Sequence, residues 1–296
     1  DAFLFDPPAL AGFTTMHALG ASLTQGTQRG LPTQWSIRSG PAAQLSRQLG
    51  LYFPLPLLIA DGFQEMTPDL IGEPPYCLPP DLDAYQMEQA LELIPSLTDP
   101  ETDAFSFAMV RVDATLATHN LAVGGSRVGE VLDGPQEGDI ALEFLSHMVY
   151  EPTGSIGDPV VESQMEVLAA SQPELVVSFD LLGNDLIDGM IDNEDFKVTG
   201  MTPLETYLAN IDRAVDALAA TGAQVFLANL PSPVDLPFFQ AKRARLAEEG
   251  MTENAALVFA AIHEGVVAGN ARLATQAEGF DTVHVVDIAG LVSGWM

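Results

Sequence analysis

Three short segments of this 296-residue chain place a nucleophile or hydrogen-bond donors directly after an apolar run: Gly20-Ala21-Ser22-Leu23-Thr24, Gly124-Gly125-Ser126 and Gly183-Asn184-Asp185. A serine in a strand-to-helix turn exposes its hydroxyl over the edge of a sheet, where it can attack an acyl carbon. Glycine backbone N–H and asparagine side-chain N–H groups are donors that stabilise the resulting oxyanion. One serine, one glycine and one asparagine thus supply the parts for acyl transfer. Singly, Gly-x-Ser and Gly-Asn-Asp are ordinary turn sequences. Their weight comes from their order after successive strands.

The elements that must position these turns can be read from apolar period. Thr14 to Leu19 is a short apolar run that breaks into the first turn. Pro32 to Gly50 reads as a helix interrupted at Gly40-Pro41, and His119 to Ser126 as a short strand ending in a glycine turn. A helix follows from Val128. Asp158-Pro159 has the chemistry of a helix start, and Pro173 stops that helix. Leu175 to Leu182 is nearly continuous apolar sequence, as in a buried parallel strand. Leu204, Leu208, Ile211, Val215 and Leu218 recur with helical spacing until Gly222, and Val225 to Leu230 forms another core strand. A helix from about Ala255 to Ala277 leads to a last strand, Val283 to Ile288.

Such alternation predicts an α/β fold in three layers, with a central, mostly parallel five-stranded sheet covered by helices on both faces. Ligands then collect where the C-terminal ends of the strands meet the following loops. The expectation is a single domain over residues 1–296, with a proline-rich insertion at about 52–100 holding at most one short helix near Tyr85 to Leu93. Tyr52, Phe53, Leu55, Leu57, Leu58, Ile59 and Phe63 in that stretch offer an apolar acyl-binding wall, or simply loop packing against the core. The chain should end just after the fifth strand without a closing helix.

The three segments resemble the conserved blocks of the GDSL-type esterases and lipases of the SGNH hydrolase superfamily. The resemblance runs from Ala18 to Leu291 outside the insertion. It implies the flavodoxin-like fold of that superfamily, with Ser22 as nucleophile and oxyanion donors at the Ser22 N–H, the Gly125 N–H and the Asn184 side chain. Ala228-Asn229-Leu230-Pro231 and Asn270-Ala271-Arg272-Leu273 extend the similarity. The chain departs from the pattern at Ala21, which replaces an aspartate that helps organise the first turn. It departs again at Leu182, in place of a first glycine, where Gly183 is expected to supply the flexibility.

A third departure concerns the base. The family's last block is Asp-x-x-His in a loop after the fifth strand, and Asp281-Thr282-Val283-His284 has that spacing. Here the histidine falls inside the strand, ~13 Å short of its C-terminal end at ~3.3 Å per residue. His17, His119, His147 and His263 lie on strands or helices and read as structural or surface residues. The resemblance therefore implies a base beyond Met296. Without one, the alternative is a non-catalytic binding or structural module on the same fold.

Composition excludes other classes. With 41 acidic and 11 basic residues the net charge is −30, which repels nucleic acid and anionic membrane surfaces. It suits an extracytoplasmic setting, secreted or at the cell envelope. Cys77 has no partner in the chain, so there is no internal disulfide, and no cluster has metal-ligand spacing. No cofactor or metal is expected, no apolar run is long enough to span a bilayer, and no Gly-x-Gly-x-x-Gly follows the first strand. The expected partner is a small-molecule or lipid ester substrate.

Overall fold

A computed structural model describes residues 12–26, 34–57, 113, 115–136, 139–150, 160, 162–191, 200–232, 237–248, 250 and 252–294. The short helix near Tyr85 and the helix start at Asp158-Pro159 lie outside these residues. Four parallel strands form one sheet in the order β1 (His17–Ala18), β2 (Leu175–Ser178), β3 (Gln224–Ala228) and β4 (Val283–Val286). In register, Ala18 lies level with Val177, Phe226 and His284. The short strand expected within His119 to Ser126, which would make the sheet five-stranded, is reduced to one isolated parallel bridge, Ala18 with Asn120. Backbone bonds nevertheless continue along it: Ala18 N–H to the His119 carbonyl, Leu121 N–H to Ala18, and Val123 N–H to Gly20.

Eleven helices are described: α1 (Ser22–Gln25), α2 (Gln34–Ser39), α3 (Pro41–Leu49), α4 (Val128–Asp133), α5 (Ile140–Val149), α6 (Gln164–Ala170), α7 (Asn184–Ile191), α8 (Leu204–Ala220), α9 (Pro237–Glu248), α10 (Thr252–Ala277) and α11 (Ile288–Ser293). The break expected at Gly40-Pro41 separates α2 from α3. Gly40 is extended and Pro41 opens α3, where a proline costs no helical hydrogen bond. Capping moves the start of α6 to Gln164: Ser163 accepts the Glu166 N–H, and the Glu166 side chain accepts the Ser163 N–H. A short helix does follow β4. Asp287 caps α11 through Gly290 N–H, but no residue of α11 is buried, so it covers little of the sheet.

Alternating side chains divide the sheet between two apolar clusters. Val176, Val225, Leu227 and Val283 join the larger one, with Val128 and Val131 of α4, Leu168 of α6, Leu186 of α7 and the buried stripe of α8. That stripe is Tyr207, Ile211, Ala214, Val215 and Leu218, one face of a 3.6-residue period. Met16, Ala18, Leu175 and Val177 face the other way, onto Ala42, Leu45 and Leu49 of α3. Helices therefore pack on both faces. Gly269 lets α10 approach α8, because a Cβ there would lie 2.5 Å from the Tyr207 hydroxyl.

Candidate active site

The chain leaves β1 through Gly20 and turns sharply. Gly20 has φ +131°, and a Cβ on it would meet Ser178 Oγ at 2.7 Å and Asp180 Oδ1 at 2.9 Å, so only glycine fits. Four residues of helix follow, ended by Gly26 in the left-handed region. Such a short helix has few internal bonds, and its first N–H groups need outside partners. Asp180, at the end of β2, supplies them. Its Oδ1 accepts from Ala21 N–H at 3.0 Å, Thr24 N–H at 3.3 Å and Thr24 Oγ1 at 2.5 Å, and its Oδ2 accepts from Leu23 N–H at 2.6 Å.

Burial raises the Asp180 carboxyl above the usual carboxylate range, while the Thr24 hydroxyl and the Ala21, Leu23 and Thr24 N–H groups pull it back. Three of these four donors crowd Oδ1 and one holds Oδ2, so Asp180 acts as a brace for the turn. The carboxylate missing at position 21 is thus met by one that arrives from β2. Sequence reading passed over Asp180 inside an apolar run; a lone acid at the end of a buried strand was its signal.

The second turn is tied to the first. Gln25 Oε1 accepts from Gly124 N–H at 3.1 Å. Gln164, buried at the start of α6, accepts Gly20 N–H at 2.9 Å through Oε1 and donates Nε2–H to the Gly20 carbonyl and Ser126 Oγ, both at 3.1 Å. Gln164 was missed from sequence, since a glutamine in the first turn of a helix carries no signature. Gly125 is exposed with φ +91°.

The third turn joins the same network. Asn184 is buried, and its Nδ2–H reaches the Ser126 carbonyl at 3.0 Å. Asp185, fully buried, accepts the Val128 N–H at 2.8 Å and so caps α4; burial raises its carboxyl, and the Val128 bond opposes that. Gly183 does not serve as expected. Its φ is not left-handed, and a Cβ there would make only ordinary contact, 3.5 Å from the Asp180 carbonyl.

The decisive feature is which donors remain. From Gly20 to Gly26 every backbone N–H has a partner except that of Ser22. From Val123 to Val128 every one has a partner except that of Gly125. Among the described residues, these two N–H groups are left unbonded in turns that are otherwise saturated. Ser22 itself is partly exposed.

The histidines lie elsewhere. His284 is in β4, three strands from β1 and level with Ala18. Neighbouring strands are ~4.8 Å apart, so His284 is displaced sideways by ~14 Å. Its Nε2 is 2.9 Å from Gln224 Oε1, and its ring stacks on Phe226. Asp287, at the C-terminal end of β4, accepts from Asn229 Nδ2 at 2.8 Å and Gly290 N–H at 2.9 Å, bonds that hold its carboxyl low. Asn270 bonds both backbone groups of Leu230, so these further family-like residues hold the β3 and β4 turns in shape.

His17 is buried in β1 and stacked at 3.8 Å on His119, with both ring nitrogens unpartnered among the described residues. Burial and the neighbouring His119 lower it to about 4, against a smaller pull from Glu174. His147 is buried in α5, and His263 is exposed on α10. Of the apolar residues expected to wall an acyl site, Tyr52 pairs with Thr15 at the start of β1 and Phe53 packs into the second cluster. These two serve the sheet. Leu58, Ile59 and Phe63 lie outside the described residues, as does Cys77.

No group of three or more metal-ligating side chains occurs among the described residues, and no described helix is long and apolar enough to cross a membrane. Compared with models of known families, the chain matches none, and no curated protein matches it.

Proposed function

We propose that this protein is a serine hydrolase of carboxylic esters, an esterase or lipase of the GDSL type built on a three-layer fold in which His119 to Val123 acts as the fifth strand. Ser22 attacks the ester carbonyl. The Ser22 and Gly125 N–H groups and the Asn184 amide receive the oxyanion, and a histidine takes the serine proton and returns it to the leaving alcohol. The observation that carries this reading is the pair of unbonded N–H groups, at the two backbone positions the family resemblance names. Both N–H groups are at accessible positions in turns whose other N–H groups are bonded, which leaves them open to an incoming oxyanion.

None of the chain's five histidines stands at this edge, so the base that this reading requires is not among them. That same observation favours a second reading, a binding module that has kept the turns and lost the chemistry. Turnover of a short-chain nitrophenyl ester and labelling by a fluorophosphonate, compared between the intact gene product and Ser22→Ala, decide between them. Loss of the adduct and a fall of about 10⁴-fold or more in turnover in Ser22→Ala is expected of the enzyme. Equal background rates in both proteins would leave the binding module.

A further inference from the structure

We infer that Gln164 is the positioning residue that sets the first and second turns at working distance, and that it acts on the chemical step rather than on substrate binding. The inference rests on the esterase reading for its kinetic consequence, but its geometry stands on the structure. A single buried amide engages both backbone groups of Gly20 and, through the same Nε2, the Ser126 hydroxyl. Ser126 in turn gives its carbonyl to Asn184. The unbonded N–H groups lie two residues after Gly20 and one before Ser126, and Asn184 is the third donor. Gln164 therefore joins the three elements of the oxyanion site while contributing no atom to it.

The other bonds at the two ends of this clamp are few: the Gly20 carbonyl takes the Val123 N–H, and Ser126 bonds Val123 and Asn184 through its backbone. Gly20 has the left-handed backbone that only glycine adopts freely, and Ser126 follows the left-handed Gly125. Without the amide, the Gly124 N–H bond to Gln25, the Val123 bond to Gly20 and the Asn120 side chain on the Thr24 and Gln25 carbonyls remain between the two segments, and none of them holds Ser126. An oxyanion site tuned to a tetrahedral intermediate loses rate when its donors drift by about an ångström, whereas ground-state binding of the ester changes little.

The test compares Gln164→Ala with Ser163→Ala. The second variant removes the capping box of the same helix and leaves the clamp intact, so it reports what loosening α6 does alone. Each is assayed for kcat and KM on a nitrophenyl ester, and amide hydrogen exchange is followed at Gly20 and Ser126. Gln164→Ala is expected to lower kcat about 10- to 100-fold with KM within about twofold, and to speed exchange at Gly20. Ser163→Ala should lower the melting temperature and leave kcat within about twofold. Equal kcat in the two variants, or a loss confined to KM, overturns the inference. A wild-type protein without turnover, in which Gln164→Ala alone speeds exchange at Gly20, refutes the esterase reading and with it the kinetic role, while upholding the clamp.

Discussion

The ends of β1 and β4 carry similar residue types and put them to opposite uses. At the end of β1, Asp180 and Gln164 bind every backbone N–H around Ser22 and leave that of Ser22 open. At the end of β4, Asp287 and Asn229 bind each other and the start of α11. His284, a few residues back, is occupied by Gln224 and Phe226. Asp287 and His284 are thus spent on structure, while a turn with an alanine where the resemblance implies an acid keeps donors in reserve. Chemistry is read from what remains unbonded.

The sharpest way to break this contrast is to remove a carboxylate at each end. Asp180→Ala strands three N–H groups and a hydroxyl in a partly buried turn, so it should cost on the order of 3 kcal/mol in denaturant unfolding. It should also lower ester turnover by about 100-fold or more as the turn loses its brace. Asp287→Ala, at an exposed cap, should leave turnover within about twofold of wild type. Similar losses in both would mean that the β4 end belongs to the site.

Next in size is a pH effect within β1. His17 titrates near 4 in the folded protein and near 6.5 when unfolded. Between those values the unfolded chain binds a proton that the folded chain refuses. Stability from this residue is therefore complete above about pH 6.5 and falls as the pH drops toward 4, by on the order of 3 kcal/mol. His17→Phe keeps a ring against His119 and should flatten that slope in unfolding curves measured across the window. An unchanged slope would assign the acid sensitivity to other groups. The smallest effect is expected for His284→Phe: turnover within about twofold, since that ring is held in β4. A loss of 1000-fold would make His284 the base after all.

Much of the fold was legible because burial imposes period. Leu204 to Leu218 and the run from Leu175 showed a helix and a strand directly, and Gly222 marked the helix stop. His119 to Ser126 reads as a short strand ending in a glycine turn because its apolar residues look like one. Only one bridge forms there, while Tyr52 takes the upstream part of the same edge of β1. At the site, Ser22, Gly125 and Asn184 carried local signals in glycine-bounded turns. Asp180 and Gln164 did not, because their partners lie more than 140 residues away and no nearby pattern reports such a contact.

That separation has a consequence for synthesis. Ser22 is made well before the residues that brace the turn around it, which lie 144 and 159 positions later than their partners. At about 5–20 residues per second the ribosome needs roughly 7–30 s to reach them. Through that interval the nascent chain carries Ser22 in an unbraced turn, which is completed only when β2 docks beside β1. In the esterase reading, order of translation alone then defers activity to the closure of the sheet.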